Sequence, residues 1–243
     1  MNIGVIPARL NSTRLPKKIL MDLDGKPMIA HVMERAMQSK KLDRIILAVD
    51  SEETIKALSI YDFEIIMTSK EHNSGTDRVF EVIKNLNDAK IIINIQGDQP
   101  LLDPNMIDGL ISVFEDNQVE MATILSRKLT VSDLLNPNVV KAIMDEESNA
   151  VEFKRNVFDL EIGGVYKHIG MYGFRRDTLS KFTSLEISER EKKRNLEQMR
   201  ALDNEIPIRA MITGDDTLSV DTEDDLINVK KIIEKLKKNG DLG

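Results

Sequence analysis

Apolar runs and amphipathic stretches alternate along the first hundred residues. Residues 3–6 are apolar on both faces and stop at Pro7, which cannot donate to a sheet ladder, so a short buried strand is predicted there. Met28, Ile29, Val32, Met33 and Met37 fall at helical spacing behind Gly25-Lys26-Pro27, and Pro27 suits a first helical turn. Residues 44–49 predict a second strand ended by Asp50-Ser51, with Ser51 capping a helix over 52–58. A third strand follows at 63–67, and Ser74-Gly75-Thr76-Asp77-Arg78 opens a helix that reaches Leu86. Residues 90–96 are the strongest strand, apolar on both faces as a central parallel strand should be. Four such alternations predict an α/β fold: a mostly parallel twisted sheet with helices on both faces, the doubly wound, Rossmann-like arrangement.

From residue 119 the pattern loosens. Strands are predicted at 119–125 and 139–144, with a turn at Asn136-Pro137 between them. Residues 145–165 are mostly polar and read as a hairpin or arm outside the main sheet. Tyr166, His168 and Tyr172 share a period of two and therefore one strand face. Residues 185–202 predict one long helix with Glu186/Arg190 and Glu189/Lys193 at pairing distance. A strand at 206–212 follows, then a strand from Leu218 leading into an acidic-fronted helix that runs to Lys238. The whole chain, 1–243, is expected to be one domain with a small β arm at about 145–175.

Charge and composition narrow the partners. Hydrophobic residues make up 41% and charged residues 31% of 243, enough for a substantial core under a solvated surface. A formal charge of -7 argues against general nucleic-acid affinity, which needs a basic face. Cys is absent, so neither a disulfide framework nor a thiolate metal site is available. The start reads as a strand rather than a signal peptide, and no apolar run approaches a membrane span. A soluble cytoplasmic protein is expected.

Positive charge is nevertheless concentrated in one place. Arg9, Arg14, Lys17 and Lys18 lie in a loop of about twelve residues that leaves the carboxyl end of the first strand, where open α/β sheets bind ligands. Such a loop suits a polyanion, such as a nucleoside triphosphate; a solvated surface loop is the plainer alternative. Neither a Walker loop nor G-x-G-x-x-G is present. Gln96-Gly97-Asp98-Gln99-Pro100 closes the central strand, which makes Asp98 a candidate metal ligand, or else a turn or cap residue. Asp221 precedes the last helix as a cap, unless Thr222 caps it and leaves Asp221 as a second ligand for Mg²⁺. His168 alone suits a hydrogen-bonded structural role, and no His/Asp/Glu cluster points to zinc.

Seven motif groups occur in one order over nearly the whole chain. They are Pro7-Ala8-Arg9 with Ser12-Thr13-Arg14-Leu15-Pro16 and Lys18, Gly25-Lys26-Pro27-Met28-Ile29, Ser74-Gly75-Thr76-Asp77-Arg78, Gln96-Gly97-Asp98, His168-Ile169-Gly170-Met171-Tyr172, Leu196-Glu197-Gln198-Met199-Arg200 and Val220-Asp221-Thr222. Together they resemble the sugar-nucleotide cytidylyltransferases, specifically the 3-deoxy-manno-octulosonate (KDO) cytidylyltransferase family. The resemblance implies an enzyme that joins a 3-deoxy-ulosonic acid to CMP from CTP, releases pyrophosphate, serves lipopolysaccharide synthesis and works as a homodimer paired through its arm. It implies that Arg9 and Lys18 hold the CTP phosphates, and that Asp98 and Asp221 hold Mg²⁺. Arg14, Ser74, Thr76 and Arg78 would lie on the CTP side. Gln96, Arg155, His168, Tyr172, Glu197 and Gln198 would meet the sugar acid.

Departures from the family pattern fall on the sugar side. Phe153-Lys154-Arg155-Asn156-Val157-Phe158 stands where Phe-Ser-Arg and an Ile-Pro segment are common. Gln99 replaces a frequent Glu, and Arg194 precedes Leu-Glu-Gln where many relatives carry Glu. Two rivals therefore remain: the same chemistry on an 8-amino or sialic-acid-like acid, and a non-catalytic nucleotide-binding homologue. Arg155 is the candidate clamp for the acid's carboxylate, against the alternative of one charge on a solvated arm.

Overall fold

The computed structural model describes residues 1–12, 15–156 and 164–239. The elements in chain order are β1 (Asn2–Ala8), a 3₁₀ turn (Lys18–Leu20), β2 (Asp22–Leu23), β3 (Lys26–Pro27), α1 (Met28–Ala36), β4 (Arg44–Val49), α2 (Glu52–Ala57), β5 (Ile65–Met67), α3 (Gly75–Ile83) and β6 (Ile91–Asn94). There follow α4 (Pro104–Ser112), β7 (Met121–Ser126), α5 (Val131–Leu135), β8 (Lys141–Met144), β9 (Ala150–Lys154), β10 (Val165–Arg175), α6 (Arg176–Ser184), α7 (Glu189–Arg194), α8 (Gln198–Asp203), β11 (Ile208–Thr213) and α9 (Glu223–Asn239). Contacts gather these into two compact units, one of residues 3–87, 94–105 and 217–243, the other of residues 1–2, 88–93 and 106–216.

In the first unit β1, β4 and β5 pair in parallel, Ile3 opposite Arg44 and Leu47 opposite Ile65. Their inward residues, among them Val5, Ile6, Ile46 and Leu47, are fully buried with Met28, Ile29 and Val32 of α1. β1 runs through Pro7 to Ala8, past the expected stop. Val5 accepts a bond from Ile95 N–H, and Pro7, two residues on, faces the same side. There the neighbouring chain is already turning at Gly97, so no ladder bond is asked of the proline. The expected strand at Leu218 is not a ladder either, since Val220 N–H makes a single bond to the Asp98 carbonyl.

The second unit is mixed. β11 and β7 are parallel, β10 is antiparallel to β7 and β8, and β9 closes a hairpin with β8. That hairpin occupies the start of the expected arm, but it does not stand outside the sheet, because β8 is laddered to β10; residues 157–163 lie outside the described residues. The single long helix expected at 185–202 is two short ones. Ser188 caps α7 in a reciprocal box with Glu191, and Asn195 ends it in the left-handed conformation (φ 52°), which Asn tolerates. The break lets Leu196 and Met199 be buried, and Arg200 makes a two-pronged pair with Glu191 at 2.8 and 2.6 Å over the Phe182 ring. Of the expected pairs along this stretch, Arg190 turns to Asp203 and Glu189 to Lys192.

Candidate active site

The first unit brings three charged residues from remote parts of the chain to one point. The turn after β6 passes close against the end of β1: a Cβ on Gly97 would lie 3.3 Å from the Pro7 carbonyl oxygen, a tight contact that glycine avoids. Asp98 follows, and the Lys18 ammonium donates to its Oδ2 at 2.8 Å and to Asp221 Oδ1 at 3.1 Å. Lys17 and Lys18 are sorted by the backbone. Lys17 is left-handed (φ 55°) and 56% exposed against Glu53, whereas the side chain of Lys18 is 12% exposed. Burial works against the Lys18 cation, but the two carboxylates outweigh it and hold its pKa above the ordinary value. At the head of α9 the capping is done by Thr222, whose hydroxyl accepts from Asp225 N–H at 3.2 Å while Asp225 accepts from Thr222 N–H at 2.8 Å. The Asp221 carboxylate is thereby left for Lys18.

The other nucleotide-side candidates divide into two kinds. Arg9 is half-buried, and its buried Nη2 has no hydrogen-bond partner among the described residues, as expected of a donor kept for an anion. Arg78 is wholly buried and spent on structure: its fork reaches Asp50 at 3.2 Å and the Thr68 hydroxyl, and burial lowers its pKa against the pull of Asp50. The other Asp50 oxygen accepts Leu10 N–H at 3.0 Å, so Arg78 anchors the start of the basic loop through Asp50. Ser74 caps α3 in a box with Asp77, and the buried Thr76 hydroxyl accepts from Asn94 Nδ2 at 3.2 Å. Gln96 is half-buried beside Asp98 in sequence, and Arg14 lies outside the described residues.

In the second unit His168, Tyr172 and Glu197 form the other cluster, and Gln198 follows Glu197 in sequence. Five residues of β10, 168 to 172, oppose three of β7, Leu125 to Thr123. The excess is even, so the alternation is preserved and His168 and Tyr172 keep one face, their rings 5.3 Å apart. Phe153 of β9 packs edge-on to His168 at 5.0 Å. Burial pushes the Tyr172 hydroxyl well above its ordinary pKa, with the Glu197 carboxylate adding to the shift, and burial pushes His168 down to about 3. Gln198 is buried with its Nε2 unpartnered among the described residues.

Arg155 is not presented as an open clamp. Its nitrogens are engaged by three main-chain carbonyls, Pro137 at 3.1 Å, Asn195 at 3.2 Å and Arg194 at 3.4 Å. Arg194 answers with bonds to Glu152 and the Phe153 carbonyl. Lys141, fully buried, gives its three N–H groups to the carbonyls of Asn136, Val139 and Arg155 at 2.8, 2.9 and 2.6 Å. The arm is thus stitched to the turn immediately before Glu197 and Gln198. Sequence reasoning missed the roles of Asp50, Thr123 and Lys141, although for Thr123 in β7 and Lys141 in β8 a lone polar residue inside an apolar run was the available signal.

Among the described residues no group of three or more His, Asp or Glu could hold a metal ion. Asp98 and Asp221 do fit Mg²⁺, because they already converge on one cation and Mg²⁺ takes one or two carboxylates together with phosphate oxygens and waters. No helix among the described residues is long and apolar enough to cross a membrane.

Comparison with known proteins shows the family and the fold. A cytidylyltransferase family model matches residues 3–209. The 3-deoxy-manno-octulosonate cytidylyltransferase of Chloroherpeton thalassium is 41% identical, over 96% of this chain and 98% of its own. That of Geobacter sulfurreducens is 40% identical, over 98% and 100%. A solved CMP:2-keto-3-deoxy-manno-octonic acid synthetase, complexed with CTP, superposes with a TM-score of 0.90 at 33% identity, covering 96% of this chain and 98% of the other. The α/β nucleotidyltransferase fold is shared, and the chain belongs to the cytidylyltransferase family, among the 3-deoxy-manno-octulosonate cytidylyltransferases.

Proposed function

We propose that this chain transfers the cytidylyl group of CTP to 3-deoxy-manno-octulosonate, for lipopolysaccharide synthesis. The anomeric hydroxyl of the acid attacks the α-phosphorus; the new P–O bond forms as the bond to pyrophosphate breaks. The observation that carries the reading is the convergence of Asp98 and Asp221 on Lys18. Phosphoryl transfer of this kind is catalysed by positioning and charge neutralisation, and these three groups with Arg9 supply both. Arg9, whose Nη2 has no partner among the described residues, and Lys18 offset charge on the triphosphate and on the departing pyrophosphate. Asp98 and Asp221 would hold Mg²⁺, which when bound supplies charge neutralisation at the phosphates and a lowered pKa for the attacking hydroxyl. Ser74 and Thr76 hold the head of α3 on the nucleotide side, and Arg78 fixes the basic loop from behind.

On the acid side, Gln96, His168, Tyr172, Glu197 and Gln198 read hydroxyls, and Arg155 positions the turn that carries Glu197 and Gln198. Dependence on CTP argues for a cytoplasmic location. Pairing with a second copy is supported by an apolar face that lies before the arm: Val131 and Leu135, four residues apart on one face of α5, are 75% and 66% exposed. Leu135→Glu is expected to shift the chain toward monomer in sedimentation. The central test is pyrophosphate release from CTP and Mg²⁺ with KDO, its 8-amino analogue and a sialic acid supplied separately. KDO is expected to be turned over fastest; CTP binding without turnover of any acid would replace the reading with a non-catalytic one.

A further inference from the structure

The bulge in β10 does more than preserve the face shared by His168 and Tyr172. Gly170, at φ 80°, takes the left-handed conformation inside it, and Met171 next to it presents its carbonyl to the Thr123 side chain. Thr123 Oγ1 lies 2.8 Å from that carbonyl oxygen and 3.0 Å from His168 Nε2. A hydroxyl has one proton, and a carbonyl oxygen can only accept. The Thr123 proton therefore goes to Met171, and the bond to His168 is made only if Nε2 carries a hydrogen and donates it. Nδ1 has no hydrogen-bond partner among the described residues.

We infer that Thr123 is a positioning residue that fixes His168 as its Nε2–H tautomer, so that Nδ1 is a standing acceptor for a hydroxyl of the acid substrate. The inference rests on the proposed acid-side reading for its ligand, but not for the tautomer. Burial acts in the same direction, since it holds the His168 pKa at about 3 and leaves the ring neutral where the enzyme works. A neutral ring so held cannot form an ion pair with a carboxylate. It can accept from a donor, and the Phe153 and Tyr172 rings on either side restrict the direction of approach. Thr123 reaches the ligand only through His168, and its own side chain is fully buried.

The chain has three histidines, which makes the test direct. The full-length protein, with ¹⁵N-labelled histidine, is examined by long-range ¹H–¹⁵N correlation, with His31→Gln and His72→Gln used for assignment. His168 is expected to show a protonated Nε2 and a bare Nδ1, unchanged from about pH 8 to about pH 5. Adding KDO should move Nδ1 toward the range of a hydrogen-bonded acceptor. Thr123→Val should mix the tautomers and raise the KM for the acid on the order of tenfold, with the KM for CTP unmoved, and Thr123→Ser should restore both. A protonated Nδ1 in the unaltered protein would overturn the inference without any variant having to fold. So would an Nδ1 signal that KDO leaves in place while the same preparation turns KDO over. Failure to turn over any acid would remove the assigned ligand together with the proposed function, and the tautomer would still be read separately.

Discussion

In one unit the Lys18 ammonium lies within hydrogen-bond distance of both the Asp98 and Asp221 carboxylates, three formal charges together, while His168 and Tyr172 in the other are polar groups held neutral among rings. Their pKa shifts run in opposite senses. Opposite charges overcome burial and favour the charged form of Lys18, whereas burial prevails at His168 and Tyr172 and favours the neutral forms. A cluster of the first kind can exchange one charge for another, as handling phosphate and a dication requires. A cluster of the second kind keeps donors and acceptors fixed, as reading sugar hydroxyls requires. The two clusters are thus built on different electrostatics, each within its own unit.

The largest effect should come from breaking the charged cluster. Asp98→Asn is expected to remove on the order of 3 kcal/mol or more of transition-state stabilisation while the protein stays folded by circular dichroism. Near-full activity with Mg²⁺ would rule out the metal role. Asp221→Asn should be comparably severe, because Thr222 and not Asp221 caps α9. A loss confined to roughly 1 kcal/mol of stability would return Asp221 to a helix-end role.

Arg155 sharpens the comparison from the acid side. Arg155→Ala should cost on the order of 2–4 kcal/mol in kcat/KM for the acid, with little change in the KM for CTP. Since its fork is engaged by the carbonyls of Pro137, Arg194 and Asn195, the variant should also melt at lower temperature, and Arg155→Lys should not rescue it. Steady-state kinetics beside a thermal melt decide the matter: lost acid affinity at unchanged stability would make Arg155 a direct clamp.

The smallest effect concerns pH. The folded His168 binds its proton at about 3 and the unfolded chain at its ordinary value of 6.5, so the unfolded state gains protons first on acidification. Stability from this group is present above about pH 6.5 and is lost as pH falls toward about pH 3. His168→Gln should therefore show a smaller drop in melting temperature between about pH 7 and about pH 5 than the unaltered chain. Equal drops in the two proteins would mean that His168 titrates freely when folded.

Much of the nucleotide side could be read locally. The caps at Ser51 and Ser74, the strand at 44–49 and the turn at Gln96-Gly97-Asp98 depend on neighbours within a few residues, and they fold as expected. The acid side was less legible. The break at Asn195 competes with a good helical pattern and prevails because it buries Leu196 and the Arg200–Glu191 pair, a tertiary gain. Arg155 and Arg78 look alike in sequence to Arg9. Only packing engages Arg155 with carbonyls and the two terminal nitrogens of Arg78 with Thr68 and Asp50, while Arg9 Nη2 has no partner among the described residues.

The sequence by itself determined the alternation of strands and helices, the family, and the list of residues among which the chemistry had to be found. The period of an apolar pattern and the order of short motifs are properties of neighbouring residues. Tertiary structure alone decided the partners: that Lys18 rather than Lys17 meets Asp98, 80 residues away, and Asp221, 203 away. It also brought the Thr123 hydroxyl of β7 within reach of both the Met171 carbonyl and His168 Nε2 of β10. The reason is physical. A charge or a hydrogen bond acts across a few ångströms of space, and which residues lie within that distance is set by the fold and not by their spacing along the chain.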